Sequence, residues 1–135
     1  MSMSGLNDYQ QFVKSTTSEE SLKYAPFEKR VKRLYIDEGV NVPLLLTAAI
    51  GAGSECGEFE EIVKKIVFQG KEYSEDARFH MKRELGDILW YVANAATALG
   101  YTLDEIVEGN IAKLEARYPN GFEVYRSENR KEGDL

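Results

Sequence analysis

The sequence has few of the residues on which disulfides and imidazole-rich metal sites depend. Its 135 residues include one cysteine, Cys56, and one histidine, His80. A single cysteine excludes an internal disulfide and a cysteine-rich zinc site, and we expect Cys56 to pack as a small buried residue. A single histidine excludes sites that need several imidazoles, such as HD-type phosphohydrolases, zinc hydrolases and di-iron bundles built on Glu-x-x-His.

Long apolar runs and a basic charge balance are also missing. No run of about 18 uncharged apolar residues occurs, so we expect no membrane contact. No basic segment followed by an apolar core opens the chain, so we expect no secretory signal and a cytoplasmic location. Lys and Arg number 17 against 23 Asp and Glu, a formal charge of −6. That field disfavours nucleic acid as a partner, but a divalent cation inverts it locally for a small anionic substrate.

The residues that are present predict a folded helical protein. Hydrophobic residues make up 43% and charged residues 30% of the chain, which is typical of a globular domain. Apolar residues recur every three or four positions between sparse breakers, so we expect an all-α antiparallel helix bundle. We assign residues 1–119 to one domain with short N-terminal helices, and 120–135 to a polar tail. That tail has two interpretations, a solvated end and an arm over a site or a neighbouring subunit.

Capping residues and breakers set the expected helix bounds. Ser74 is placed to cap one long helix, and Thr102 with Glu105 forms a capping box at the start of the next. A weak strand-like alternation occurs at Phe122–Tyr125. The expected helices lie at about residues 6–14, 26–38, 43–68, 75–99 and 103–117.

Four acids lie in pairs on the two longest predicted helices. Glu55 and Glu58 are three residues apart on the first, and Glu84 and Asp87 repeat that spacing on the second. Residues three apart share a helix face, so each pair points one way. Because acids are frequent in this chain, the apolar setting of both pairs is more informative than their spacing. Half-buried like charges are costly unless a cation compensates them, so a metal site competes with two solvated helix faces as the interpretation.

The chemistry of these side chains indicates which metal they select. Antiparallel packing of the two helices brings four carboxylates together as an all-oxygen set without imidazole or thiolate. Such ligands favour Mg²⁺, with Mn²⁺ as the second choice. Mg²⁺ held by a few carboxylates usually keeps waters and binds substrate phosphates, so the expected ligand is a nucleotide or another polyphosphate.

Further polar residues share a face with the acids or lie on the third long helix. Tyr91 and Asn94 continue the face of Glu84 and Asp87. For Asn94, orientation of water or phosphate competes with a satisfied core amide. Lysines and arginines near the acids are placed to neutralise phosphate, with solvated surface as the alternative. The candidate substrate contacts are Lys65, Tyr91, Asn94, Asn110, Lys113 and Arg117.

Small and aromatic residues on the two long helices lead to expectations about packing. Gly86 lies inside a helix, where glycine costs about 1 kcal/mol relative to alanine, so we expect a neighbouring helix to approach closely there. Aromatic residues near the acids are candidates for stacking on a base. We expect Phe59, Phe68, Trp90 and Tyr91 to belong to the core instead.

On these motifs the chain resembles the MazG-like, all-α nucleoside triphosphate pyrophosphohydrolases. The Glu-x-x-Glu motif of that family is Glu55-Cys56-Gly57-Glu58 here, and its Glu-x-x-Asp motif is Glu84-Leu85-Gly86-Asp87. The stretch from Asn110 to Pro119 is also similar, and the chain ends look like those of phage-type single-domain members. Many members carry an additional Glu just before the first motif, where this chain has Ser54.

The resemblance implies an activity, a cofactor and an assembly. It implies hydrolysis of a nucleoside or deoxynucleoside triphosphate to the monophosphate and pyrophosphate, with Mg²⁺ bound by Glu55, Glu58, Glu84 and Asp87. It also implies a homodimer or homotetramer. The alternative is a non-catalytic helical module that senses nucleotides or drives oligomerisation. The four retained acids favour the enzyme, because an adaptor has no reason to keep half-buried like charges.

Overall fold

The computed structural model describes residues 5–130 and Gly133, and within that part of the chain the protein is all-α. No strand occurs there; Pro119 and Gly121 form an isolated β-bridge. The expected all-α class is therefore confirmed. The helices are α1 (Leu6–Thr16), α2 (Glu19–Leu22), α3 (Tyr24–Glu38), α4 (Val42–Phe68), α5 (Glu75–Leu99), α6 (Leu103–Arg117) and α7 (Val124–Glu128).

The chain forms two compact units, one up to Val42 and one from Pro43 onward. In the first unit α2 packs against α3. α3 begins two residues before Pro26, because a proline in the first helical turn loses no intrahelical hydrogen bond. The assignment of residues 1–119 to a single domain stays a prediction.

α1 runs two residues beyond its predicted end and includes Ser15 and Thr16. The hydroxyls of Ser15 and Thr16 donate to the carbonyls of Phe12 and Val13 at 2.7 and 2.9 Å. Such backbone-directed hydrogen bonds satisfy the hydroxyls within the helix. A separate short helix, α2, then follows where no helix was predicted.

Local capping sets the ends of the long helices as expected. The Ser74 hydroxyl accepts from the Ala77 N–H at 3.1 Å at the start of α5. At the start of α6 the Thr102 N–H donates to the Glu105 carboxylate at 2.7 Å, and the Glu105 N–H donates to the Thr102 hydroxyl at 3.2 Å. Gly100 ends α5 in the left-handed conformation, with φ of 78°. Each of these features depends on neighbours in sequence, which is why the sequence predicts them.

α4 and α5 lie antiparallel, as three contacts along their length show. Gly51 meets Tyr91 near one end of the pair, Glu55 is electrostatically coupled to Glu84 farther along, and a common cleft is lined by Ile62 and His80. Residue numbers rise along α4 as they fall along α5. α6 contacts α5 after the short connection that follows it.

Close helix approach occurs at Gly51, not at Gly86. A Cβ atom at Gly51 would collide with the aromatic ring of Tyr91, whereas no described atom lies within 4 Å of a Cβ at Gly86. The expectation for Gly86 is therefore wrong within this chain. Periodicity showed that both glycines lie inside helices but did not show which helix face meets a neighbour.

Few large side chains are buried among the described residues. The buried hydrophobic residues are Val42, Ala48, Ala77 and Ala96. Phe68 and Trp90 are 83% and 58% exposed, and Cys56 is exposed as well, so the prediction that these three residues are buried is wrong. The reason is geometric: the apolar stripes of α4 and α5 are wider than the face that one neighbouring helix covers. No helix of the described part is long and apolar enough to cross a membrane.

The C-terminal segment contains a short helix, α7, where the sequence showed strand-like alternation. The weak alternation at Phe122–Tyr125 thus forms no strand, in agreement with the all-α prediction. Within α7 and its cap, Arg126 forms an ion pair with Glu123 at 2.9 Å, a local contact that suits a helix start. The last part of the predicted tail, residues 131, 132, 134 and 135, lies outside the described residues.

Candidate metal centre

Three of the four predicted ligands come together between α4 and α5. One carboxylate oxygen from each of Glu55, Glu58 and Glu84 lies within 4.8 Å of the other two. Glu55 and Glu84 are half-buried, and Glu58 is exposed. Two of these side chains come from one turn of α4 and the third comes from α5, so antiparallel packing of the helices builds the cluster.

The surroundings of Glu55 disfavour the charged form of its carboxyl group. Partial burial raises the pKa of the Glu55 carboxyl, and the negative charges of Glu58, Asp87 and Glu84 raise that pKa further. A hydrogen bond with Glu84 acts in the same direction. A cation at this position would stabilise the charged form of Glu55, because its positive charge offsets the partial burial and the neighbouring negative charges.

Asp87 lies at the edge of the cluster. Its charge acts on Glu55, but its oxygens do not belong to the group that meets within 4.8 Å. Asp87 is also exposed. The structure thus brings oxygens of three of the four predicted acids close enough to bind one ion together. The fourth, Asp87, lies close enough for its charge to act on Glu55.

An open cleft of about 440 Å³ continues from the cluster along the two helices. Glu58 and Glu84 line its acidic end. Ser54, directly before Glu55, also lines the cleft and offers a hydroxyl group instead of a further carboxylate. The complete lining is Ser54, Gly57, Glu58, Glu61, Ile62, Lys71, His80 and Glu84.

Glu61 is neutralised by two lysines. Lys64 and Lys65 reach its carboxylate at 2.6 and 3.1 Å, and the hydrogen bonds and charges of both lysines lower the pKa of Glu61. Lys65, predicted as a substrate contact, therefore has an internal partner in this structure, so any contact with substrate competes with Glu61.

Tyr91 and Asn94 both make contacts within the protein. The Tyr91 ring packs on the backbone of Gly51 and makes an edge contact with Trp90, with ring centroids 4.9 Å apart. The Asn94 side-chain amide donates to the Trp90 carbonyl at 3.0 Å. The amide nitrogen is thus satisfied by the turn below it, and the Asn94 side-chain oxygen remains the atom on which a role with water or phosphate depends.

The three candidates on α6 do not line the acidic cleft. Asn110 and Lys113 are exposed, and Arg117 is half-buried with its guanidinium 5.8 Å from the ring centre of Tyr118. Their spacing of three and four residues puts them on one face of α6, as the sequence predicts. Their role as substrate contacts stays a prediction.

Sequence reasoning missed Lys71 as a residue of the cleft and assigned His80 no role there. Both line the cleft beside Glu58 and Glu84. A signal for Lys71 was present, because Gly70 lies two residues after Phe68, the last residue of α4, and a glycine there reverses the chain. That reversal carries the next residue back toward the helix end.

The arrangement has the chemical features of a site for a metal-bound phosphate. Three converging carboxylates supply hard oxygen ligands, and the cleft beside them is lined by Lys71. Divalent ions with such ligands bind polyphosphates through their remaining coordination positions.

Comparisons with known proteins agree with this chemistry. A family model described as the MazG nucleotide pyrophosphohydrolase domain matches residues 47–122. The chain is also similar to the Gene 37 protein of Mycobacterium phage L5, with 34% identity over 83 residues, which is 60% of this chain and 72% of that protein. No solved structure matches it.

Proposed function

The chain belongs to the MazG nucleotide pyrophosphohydrolase domain family, and we propose that it hydrolyses a nucleoside or deoxynucleoside triphosphate to the monophosphate and pyrophosphate. The observation that carries this proposal is the convergence of the Glu55, Glu58 and Glu84 carboxylates beside a cleft. A helical module without turnover has no need to hold these like charges together at a cost in stability.

The acids fit a divalent cation. We propose Mg²⁺, or Mn²⁺ in its place, held by Glu55, Glu58 and Glu84 with Asp87 completing the set. Mg²⁺ prefers oxygen donors, which these carboxylates supply. The positive charge of the ion would also offset the like charges that raise the pKa of Glu55. When bound, the ion neutralises triphosphate charge and polarises the phosphoryl oxygens.

The protein's own residues supply position and orientation. A carboxylate of the cluster accepts a hydrogen bond from a water and aims its oxygen at the α-phosphorus. The water oxygen attacks in line and forms the new P–O bond while the carboxylate takes the water proton. The bond from the α-phosphorus to the oxygen that bridges to the β-phosphate breaks, and pyrophosphate leaves with that oxygen. Substrate contacts are proposed for Lys65, Tyr91, Asn94, Asn110, Lys113 and Arg117.

We propose that the active form is a homodimer or homotetramer. The support is the large apolar surface of the single chain. On α5, at least half of the surface is exposed for each of Leu85, Leu89 and Trp90. Such apolar exposure is costly unless another surface covers these side chains. A second copy is also a source of the phosphate contacts that α6 does not bring to the cleft of its own chain. The cytoplasmic location stays a prediction.

Pyrophosphate release from the eight common NTPs and dNTPs, measured with Mg²⁺ and again with excess chelator, tests the proposed function. We expect release from at least one nucleotide, lost with chelator. Nucleotide binding without release from any of the eight would support the alternative, a nucleotide-sensing or oligomerising module.

A further inference from the structure

The cleft beside the carboxylate cluster is also lined by a lysine, Lys71. Glu58 and Glu84 belong both to the cluster and to the cleft wall, and Lys71 and His80 line the same cleft. A ligand in this cleft therefore meets the carboxylates and the Lys71 side chain together. Triphosphate is a ligand of that kind, because it needs a metal ion for part of its charge and cationic side chains for the rest.

The backbone of Lys71 is held in place by the end of α4. Gly70 adopts the left-handed conformation with φ of 70°, and the Lys71 N–H donates to the Lys65 carbonyl at 3.0 Å. The Gln69 N–H donates to the same carbonyl at 3.1 Å. These bonds bring the chain back over the last turn of α4, which places Lys71 at the cleft instead of beyond the helix.

The Lys71 ammonium has no hydrogen-bond or ion-pair partner among the described residues, unlike the ammonium groups of Lys64 and Lys65. Lys64 and Lys65 are engaged by Glu61, and His80 lies 3.5 Å from the Asp76 carboxylate. Among the described residues that line the cleft, Lys71 thus carries a positive charge that remains available to a bound anion.

We propose that Lys71 binds the β- and γ-phosphates of the substrate and holds the pyrophosphate product, with the imidazole of His80 beside it. The inference rests on the proposed function. Attack at the α-phosphorus places that atom at the carboxylate cluster, so one side of the substrate extends along the cleft. That side carries the phosphates, because the cleft offers the Lys71 charge and no Phe, Tyr or Trp ring for a base.

Product inhibition separates this role from a structural one. Lys71→Gln is expected to weaken inhibition by pyrophosphate about tenfold and to raise the KM for the triphosphate similarly, the size expected for one charge-assisted hydrogen bond. Inhibition by the nucleoside monophosphate should not change, since that product leaves from the other side. Lys71→Arg should restore most of the pyrophosphate inhibition.

Lys82→Gln is the matched control. Lys82 is an exposed lysine on α5 that does not line the cleft, so the same loss of charge there should leave all three constants unchanged. Equal pyrophosphate inhibition in wild type and in a folded Lys71→Gln protein would overturn the inference. So would equal weakening in Lys82→Gln, because the effect would then come from net charge alone.

Calorimetry with pyrophosphate and Mg²⁺ distinguishes failure of this inference from failure of the proposed function. The wild-type protein could bind pyrophosphate in a way that depends on Lys71 and yet hydrolyse none of the eight nucleotides. That result would support the anion site at Lys71 and contradict the proposed enzymatic function. Turnover by the wild-type protein, with equal pyrophosphate binding to wild type and to Lys71→Gln, would support the enzymatic function and contradict the anion site at Lys71.

Discussion

The Tyr91 ring lies directly against the backbone of Gly51, so that the two long helices meet where one has no side chain at all. The contact lies one helical turn from Glu55 on α4 and from Asp87 on α5. It therefore sets the separation of the two helices close to the point where the carboxylates converge.

Gly51→Ala is expected to destabilise the protein by about 1–3 kcal/mol, because the added methyl group must displace the Tyr91 ring or the α5 backbone. Urea unfolding measures this change. Gly53→Ala, on the same helix with no described atom near its Cβ position, should instead stabilise the protein by up to about 1 kcal/mol.

A double-mutant cycle attributes the Gly51 effect to the ring. In a Tyr91→Ala background, Gly51→Ala should lose its destabilising effect, since the methyl group then meets open space. Additive effects of the two substitutions would show that Tyr91 is not what Gly51 accommodates.

Loss of a carboxylate from the cluster should abolish metal-dependent turnover. Glu58→Gln and Asp87→Asn are each expected to reduce kcat/KM at least about 100-fold, more than the loss of a residue that only supports a ligand. Helical circular dichroism should be unchanged. Glu60→Gln, an exposed neighbour on α4 outside the cluster, is the control and should keep wild-type activity; full activity in both cluster variants would contradict the metal assignment.

The raised pKa of Glu55 predicts how metal-free stability depends on pH. A folded-state pKa above the unfolded value means that the folded protein binds the proton more tightly. This contribution to stability is fully present below the ordinary glutamate pKa and is lost as pH rises through the raised value. Glu55→Gln should therefore unfold at a higher temperature than wild type at neutral pH in chelator, with the difference disappearing in acid.

Metal addition provides the complementary measurement. At neutral pH, Mg²⁺ should raise the unfolding temperature of wild type more than that of Glu55→Gln, because binding to the folded state alone adds to stability. An equal rise in both proteins would show that Glu55 is not a ligand.

The capping box of α6 predicts a pH dependence of opposite sign. Hydrogen bonds from the Thr102 N–H and hydroxyl lower the pKa of Glu105. The resulting stability is present above the ordinary glutamate pKa and is lost as pH falls through the lowered value. Thr102→Ala should cost about 1 kcal/mol at neutral pH, and the deficit should shrink in acid. A Thr102→Ala deficit of the same size at neutral and at acid pH would contradict this assignment of the pH dependence to the Glu105 carboxylate.

The exposed apolar face of α5 predicts self-association. Leu89 is 64% exposed in the single chain, and Leu89→Glu should shift sedimentation toward the monomer because a charge replaces apolar surface at the contact. Arg83→Glu, an exposed charge reversal on the same helix, is the control. A wild-type protein that sediments as a monomer at all concentrations would contradict the proposed assembly.

Most of the helices were predictable from sequence, as was the approach of acids from α4 and α5 to one another. The bounds of α5 and α6 follow from Ser74, Gly100 and Thr102, whose hydrogen bonds join neighbours along the chain. Prediction was less accurate at the N-terminus, where α1 runs two residues further than predicted, and in the tail, where no helix was predicted and α7 occurs. In those segments the local signals are weak and several backbone conformations satisfy them equally.

The sequence by itself determined the helical class, the ends of the long helices and the oxygen-donor chemistry of the acids, because each depends on residue type or on contacts within one turn. Only the tertiary structure decided that Gly51 and not Gly86 receives a neighbouring ring, that Glu55, Glu58 and Glu84 converge while Asp87 lies at their edge, and that Lys71 lines the cleft. Those outcomes depend on which faces of α4 and α5 meet, and helical spacing repeats identically on faces that meet and faces that do not.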